Sequence, residues 1–176
     1  MTTDAYTIDQ HGTVNGTLKL GFFHTMEQFR LEVLHHNPII ASSVIVRKQC
    51  YDRVGCRKPQ FEIVDDYELW IRIGEHYTIR HLHQPLMYYR YTPEGISTYF
   101  DKMKRIEKTI VLDFYHRHSL VYFFPSLQTE KNPAGFARAY FKIAGIFLRH
   151  RYFSMALREG LLGIVRPVWF LFVHHG

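Results

Sequence analysis

The hydrophobic period changes near residue 98, and this change limits what the chain can fold into. Before it, apolar residues come in short β-branched and aromatic runs broken by Gly, Pro and Asn; after it, Tyr99, Met103, Ile106, Ile110 and Phe114 recur at spacings of three and four. Short runs of the first kind make strands and brief helices, whereas the second pattern makes longer amphipathic helices. The expected fold is therefore α/β: a mixed sheet with flanking helices over residues 1–98, then a helical extension over 99–176.

Within the first part, turn residues divide the elements. Ile8-Asp9-Gln10-His11-Gly12 and Asn15-Gly16 predict a β-hairpin over residues 6–20. Phe23 to His35 has helical spacing and is closed by Asn37-Pro38, because the residue before proline avoids helical torsions. The continuous apolar run Val44-Ile45-Val46 predicts a strand over Ser42–Arg47 in a central sheet. A short helix over Lys48–Val54 stops at Gly55, and a polar loop over Arg57–Glu62 leads to an acidic helix ending near His76. Tyr77–Leu82 and Leu86–Tyr91 read as two strands separated by His83-Gln84-Pro85, and Thr92-Pro93-Glu94-Gly95 reads as a turn. In the second part, Asn132-Pro133 starts a helix, and a partner over Tyr152–Val165 completes a helical hairpin at 133–165. That hairpin is similar to a single tetratricopeptide unit, although one unit is no repeat array.

Charge divides the chain at nearly the same place. Residues 1–100 hold 10 Lys/Arg and 11 Asp/Glu, a net −1, while residues 101–176 hold 12 and 5, a net +7. A basic, aromatic-rich tail suits an anionic membrane surface better than nucleic acid, since no RNA-binding signature or zinc-finger spacing accompanies it. Leu161–Val173 is apolar but contains Arg166 and Pro167 and is too short to span a bilayer, so it packs on the protein or lies in an interface. Met1–Ala5 lacks a basic, then apolar, opening. The expected location is cytoplasmic, with peripheral attachment at the inner face of the membrane as the alternative. Cys50 and Cys56 make neither a disulfide framework nor a zinc set. The histidine pairs His35-His36, His81-x-His83, His116-x-His118 and His174-His175 lack Cys or carboxylates at ligand spacing, and no metal ligand is assigned from the sequence.

The chemistry-bearing stretch is Val64-Asp65-Asp66-Tyr67-Glu68-Leu69-Trp70-Ile71-Arg72. Negative charge is favoured in a helix first turn, which accounts for the acidic pair as capping and equally leaves a carboxylate placed to accept a proton. Asp66, Trp70 and Ile73 share one helix face, and Arg72 points elsewhere. Trp70 offers a flat apolar surface, suited to the core or to stacking on a sugar ring.

Four segments in order, Asn37-Pro38-Ile39-Ile40-Ala41-Ser42-Ser43-Val44-Ile45-Val46-Arg47, Val54-Gly55, Asp65-Asp66-Tyr67-Glu68-Leu69-Trp70-Ile71-Arg72 and Pro85-Leu86-Met87-Tyr88-Tyr89-Arg90 with Gly95-Ile96-Ser97, resemble the C-terminal half of family 2 glycosyltransferases. The resemblance covers roughly residues 6 to 98. It implies a partial GT-A-type domain on the acceptor side and inverting transfer of a sugar from a nucleotide-sugar donor to a glycan or lipid-linked acceptor, as in surface polysaccharide assembly. By the same resemblance Asp66 is the catalytic base, and Asp65, Trp70, Arg72, Arg90, Asn37, Ser42 and Ser43 are substrate-binding. The complete enzyme would use a divalent metal, Mn²⁺ or Mg²⁺, on the diphosphate. This chain departs from the family pattern at Thr92, where histidine is usual, and at Cys56-Arg57 in place of Gly-Phe. It contains no Asp-x-Asp triplet, so the resemblance leaves the nucleotide-binding half unaccounted for and the chain is expected to be inactive alone. The alternative expectation is a non-catalytic interaction module, a degenerate half-domain whose basic tail binds a membrane or a partner protein.

Overall fold

The structure is a computed structural model describing residues 1–92, 100–130 and 132–173, without the side chains of 100, 130 and 167–173. Eight α-helices and one three-stranded mixed sheet are found among the described residues. The chain divides into two compact units, Met1–Phe114 and Tyr115–Gly176. The division falls inside a helix, while the expected boundary at 98/99 and the Pro93–Gly95 part of the expected turn lie outside the described residues.

In the first unit β1 (Thr2–Ile8) is the central strand. It pairs antiparallel with β2 (Val14–Leu18) and parallel with β3 (His81–Arg90). All of β1 is buried except Tyr6, as befits a strand flanked on both sides. The expected hairpin forms, but its turn is Asp9–Thr13: the Asp9 carboxylate accepts the N–H groups of His11 and Thr13, each at 2.9 Å, and Gly12 adopts φ 91°. Asn15-Gly16 lies within β2 instead, where Thr7 Oγ1 donates to Asn15 Oδ1 at 2.6 Å.

Two strand expectations are corrected. In place of separate strands at Tyr77–Leu82 and Leu86–Tyr91 there is one edge strand, β3, from His81 to Arg90, which continues through His83-Gln84-Pro85 because its register slips there: Leu82 faces Thr3 while Pro85 faces Asp4. Irregular pairing at an edge accommodates a proline that has no N–H to give. Ser42–Arg47 is not a strand of the sheet. It begins as a 3₁₀ turn at Ala41–Ser43 and continues as an extended segment joined to Met1 by reciprocal hydrogen bonds from Ile45, both 2.9 Å. Ser43 explains the change. Its hydroxyl accepts from Thr3 N at 3.2 Å and donates to Ile40 O at 2.8 Å, so a side chain occupies the place of a strand carbonyl.

Helix α1 (Met26–Glu32) starts at a capping box made by Thr25 and Gln28. Helix α2 (Lys48–Val54) stops at Gly55, φ 80°, as expected. The expected polar loop is largely a 3₁₀ segment, Pro59–Val64, leading into α3 (Asp65–His76). Tyr67, Leu69, Trp70, Ile71 and Ile73 of α3 are all buried, so this helix is enclosed on most of its circumference. Gly74 lets α1 approach: a Cβ there would lie 2.4 Å from Phe29 Cε1. Tyr67 adds a polar tie, donating its hydroxyl to Val33 O.

Helix α4 (Phe100–Arg117) carries the helical period expected from Thr98 onward and crosses the division between the units. Beyond it, α5 (Leu120–Phe123) and α6 (Leu127–Glu130) precede α7 (Pro133–Arg149) and α8 (Phe153–Val173). Asn132 caps α7 by accepting Ala134 N at 2.9 Å, with Pro133 just inside the helix. The hairpin closes where Gly163 of α8 meets Tyr140 and Ala137 of α7. Glu159 is buried here, bonded to Arg158 at 2.9 Å; burial, then its hydrogen bond to Glu159, pushes the Tyr115 hydroxyl far above its ordinary value.

Candidate functional site

The start of α3 brings together residues that are remote in sequence. Asp66 is half-buried, and its carboxylate accepts Tyr67 N at 2.7 Å and Asn37 Nδ2 at 3.2 Å. Asn37 is itself fixed, because its Oδ1 accepts Ile39 N at 3.2 Å. Burial raises the Asp66 carboxyl above the ordinary aspartate range; the Tyr67 amide, Arg57 and Asn37 work in the opposite direction. A carboxylate held this way is ionisable and a better proton acceptor than an exposed one. Glu107 of α4 is also raised, first by burial, with a smaller contribution from the charge of Asp66. Sequence reading passed over Glu107 because it lies 41 positions beyond Asp66, on a helix whose pattern showed only its apolar stripe.

The other expected residues have definite placements. Asp65 forms an ion pair with Arg57 at 3.4 Å; it does not cap α3, whose cap position is Val64, with no side-chain capping bond. Arg72 is enclosed by the protein. It donates to both oxygens of Glu68 at 2.8 Å and to the carbonyls of Val54 and Cys56, clamping the end of α2 to α3. Lys58 reaches the same carboxylate at 2.7 Å. Burial acts to raise Glu68, but the bonds from Arg72 and Lys58 outweigh it and hold the group below its usual value. Arg90 braces the hairpin by donating to Asp9 O at 2.6 Å and Gln10 O at 3.0 Å. Ser43 is engaged with β1, its Oγ lying 2.8 Å from Thr2 Oγ1, and exposed Ser42 lies 3.6 Å from the Met87 sulfur. Thr92 is exposed.

Trp70 is 3% exposed, so its ring is core rather than an open stacking platform. Its Nε1 is buried without a hydrogen-bond partner and it lines a cavity of about 690 Å³ with Ile39, Val46, Cys50, Ile73 and Tyr77. Neither Asp66 nor Asn37 lines that cavity. The Asp66 carboxylate and this apolar recess therefore occupy different positions around α3.

A second polar cluster joins β1 to β3. Asp4, His81 and His83 place potential ligand atoms within 4.8 Å of one another. Asp4 Oδ1 lies 3.0 Å from His81 Nε2, both side chains are about 1% exposed, and His81 Nδ1 has no hydrogen-bond partner. Burial lowers the His81 imidazole despite Asp4, which favours its neutral form. The His24 and His83 rings lie 4.4 Å apart and those of His81 and His83 4.6 Å apart. The His-x-His spacing was visible in the sequence, but the carboxylate that joins it lies 77 residues away on a neighbouring strand.

Compared with known proteins, the chain matches no protein-family model, no curated protein and no solved structure.

Proposed function

We propose that this chain carries the acceptor-side site of a family 2-like inverting glycosyltransferase, with Asp66 as general base. The observation that supports the reading is the Asn37–Asp66 hydrogen bond at 3.2 Å, which joins two of the motif segments behind the resemblance around one raised carboxylate. In the reaction Asp66 takes the proton of an acceptor hydroxyl as that oxygen bonds to the anomeric carbon, and the bond to the nucleoside diphosphate breaks. Asn37 orients the carboxylate and Arg72 holds the helix that bears it. The acceptor is a glycan or a lipid-linked sugar, and surface polysaccharide assembly is the setting in which such acceptors are extended.

The divalent Mn²⁺ or Mg²⁺ that the family holds on its diphosphate requires several oxygen ligands. At α3, Asp65 is occupied by Arg57 and Asp66 by Asn37, and Thr92, just beyond β3, supplies only a hydroxyl; these residues do not fit that ion. The test is transfer, by the chain supplied with a nucleotide-binding half, from a panel of nucleotide sugars to glycan and lipid-linked acceptors, with Mn²⁺ and Mg²⁺ present. Transfer that falls about 10²- to 10⁴-fold in Asp66→Asn supports the reading, and transfer that survives this substitution in a folded protein counts against it.

A second reading, an interaction module on an anionic membrane surface, draws on one feature of α8. Phe153, Leu157, Leu161 and Ile164 are exposed at spacings of four, four and three, and Leu157 is 67% exposed. They form an uncovered apolar stripe on a basic segment. No helix among the described residues is long and apolar enough to cross a membrane.

A further inference from the structure

We propose that His81 and His83, with the adjoining His24 and with Asp4 as the orienting carboxylate, form a binding site for a divalent transition metal of the zinc class. The geometry begins with the buried pair. Asp4 Oδ1 accepts from Nε2 of His81 at 3.0 Å, which leaves the lone pair on Nδ1, the buried nitrogen without a partner. A histidine that donates one ring N–H to a carboxylate and presents the other nitrogen is the usual arrangement at metal centres, because the carboxylate fixes the tautomer and makes the ligand nitrogen more basic. An unpaired buried nitrogen otherwise has an unoffset desolvation cost.

The surroundings supply further donors. Gly21 faces Nδ1 so closely that a Cβ there would sit 3.0 Å from it and 2.9 Å from Pro38 O, so only glycine fits beside this nitrogen. Positions 81 and 83 alternate to the same side of β3, which puts their rings 4.6 Å apart, and His24 reaches the His83 ring from the segment before α1. Glu32 adds negative charge nearby: His36, His83 and His24 each act on its carboxyl. Three imidazoles suit zinc, cobalt or nickel, whereas magnesium and calcium take oxygen ligands. Nitrogen ligands about 2.1 Å from a tetrahedral ion stand about 3.4 Å apart, and ligand atoms of Asp4, His81 and His83 already lie within 4.8 Å of one another, so His81 and His83 need only side-chain adjustment to close on an ion, with His24 joining from beside the His83 ring. This site is separate from Asp66 and holds whether or not the chain transfers sugars.

The experiment is metal binding by the untagged full chain, followed by calorimetry with Zn²⁺ and by the visible absorption of Co²⁺, with Mg²⁺ as a control. The expected result is one Zn²⁺ per chain, no binding of Mg²⁺, and a Co²⁺ spectrum of tetrahedral intensity. His83 is exposed, so His83→Ala should fold normally while weakening Zn²⁺ at least tenfold, and His24→Ala should weaken it similarly. Asp4→Asn should weaken binding about 10- to 100-fold without removing it, as expected for a residue acting through His81. Thermal melts without metal establish that each variant is folded. Zn²⁺ uptake unchanged in both His83→Ala and His24→Ala would assign it to the other histidines and overturn the proposal, as would the absence of one-to-one binding in the wild type.

Discussion

The two units use their buried polar groups differently. In Met1–Phe114, polar side chains connect elements distant in sequence: Asn37 to Asp66, Asp4 to His81, Arg72 to the carbonyls at the end of α2. In Tyr115–Gly176, the long helices meet mainly through small and aromatic residues, with one buried acid, Glu159, bonded to Tyr115, and large apolar side chains remain outside on α8. A network of buried hydrogen bonds specifies position and shifts acidities, which chemistry requires. A helical hairpin with an uncovered apolar stripe supplies area and little positional chemistry, which suits adhesion.

The largest effect should come from Asp66. Asp66→Asn keeps the shape and removes the proton acceptor, so in the complete enzyme, with a nucleotide-binding half supplied, transfer activity should fall by about two to four orders of magnitude, with a normal thermal melt. Asp65→Asn should cost far less, because its exposed-side ion pair with Arg57 is worth little in water. The reverse order would show that the comparison has placed the chemistry on the wrong carboxylate.

Glycines give the sharpest contrast between the units. Gly74→Ala drives a methyl into Phe29 and should destabilise the first unit by about 1–3 kcal/mol. Gly145→Ala and Gly160→Ala meet nothing within 4 Å and should each stabilise their helix, by up to about 1 kcal/mol. Chemical denaturation of the three variants checks this, and equal effects would erase the distinction between a tightly keyed helix and loosely specified ones.

Adhesion provides the next test. Leu157→Glu places a charge in the exposed stripe and should reduce co-sedimentation with anionic vesicles several-fold, whereas Tyr88→Glu, on the exposed face of β3, should leave it unchanged. Attraction of about 1 kcal/mol per basic residue near such a surface makes the binding sensitive to salt. Adhesion that ignores both salt and Leu157 removes the membrane reading.

The smallest expected effect is a pH dependence. The Asp66 carboxyl is raised in the folded chain above its ordinary value of 3.8, so the folded state holds that proton more tightly than the unfolded chain does. Its contribution to stability is full below the ordinary value and is lost as pH rises through the folded one. Glu68 is lowered, and its contribution runs oppositely, present above its ordinary value of 4.5 and lost as pH falls through the folded one. Asp66→Asn should therefore gain stability relative to wild type as pH rises through the weakly acidic range, and Glu68→Gln should lose it. Parallel melting curves for the two variants would remove the electrostatic difference between neighbouring acids on one helix.

Much of this organisation was legible in local chemistry. Gly55 ended α2, Asn132-Pro133 began α7 and the acidic segment formed a helix to His76, because caps, breakers and periodicity act over a few residues. Val44-Ile45-Val46 misled because an apolar run records burial or β preference without naming a partner strand, and the Ser43 hydroxyl had already taken the position beside Thr3. His83-Gln84-Pro85 misled because proline marks a break in a central strand and is admitted at an irregular edge.

By itself the sequence determined where the main helices begin and end, the separation of a near-neutral part from a basic one, and the types of side chain available for chemistry. Only the tertiary structure decided that Asn37 and Glu107 bear on Asp66, that Arg72 and Arg90 donate to backbone carbonyls, and that Asp4 meets His81. The reason is physical: propensity and periodicity are set within a few residues, whereas the acidity of a carboxylate or the lone pair of an imidazole depends on groups that sheet pairing and helix packing bring from far along the chain.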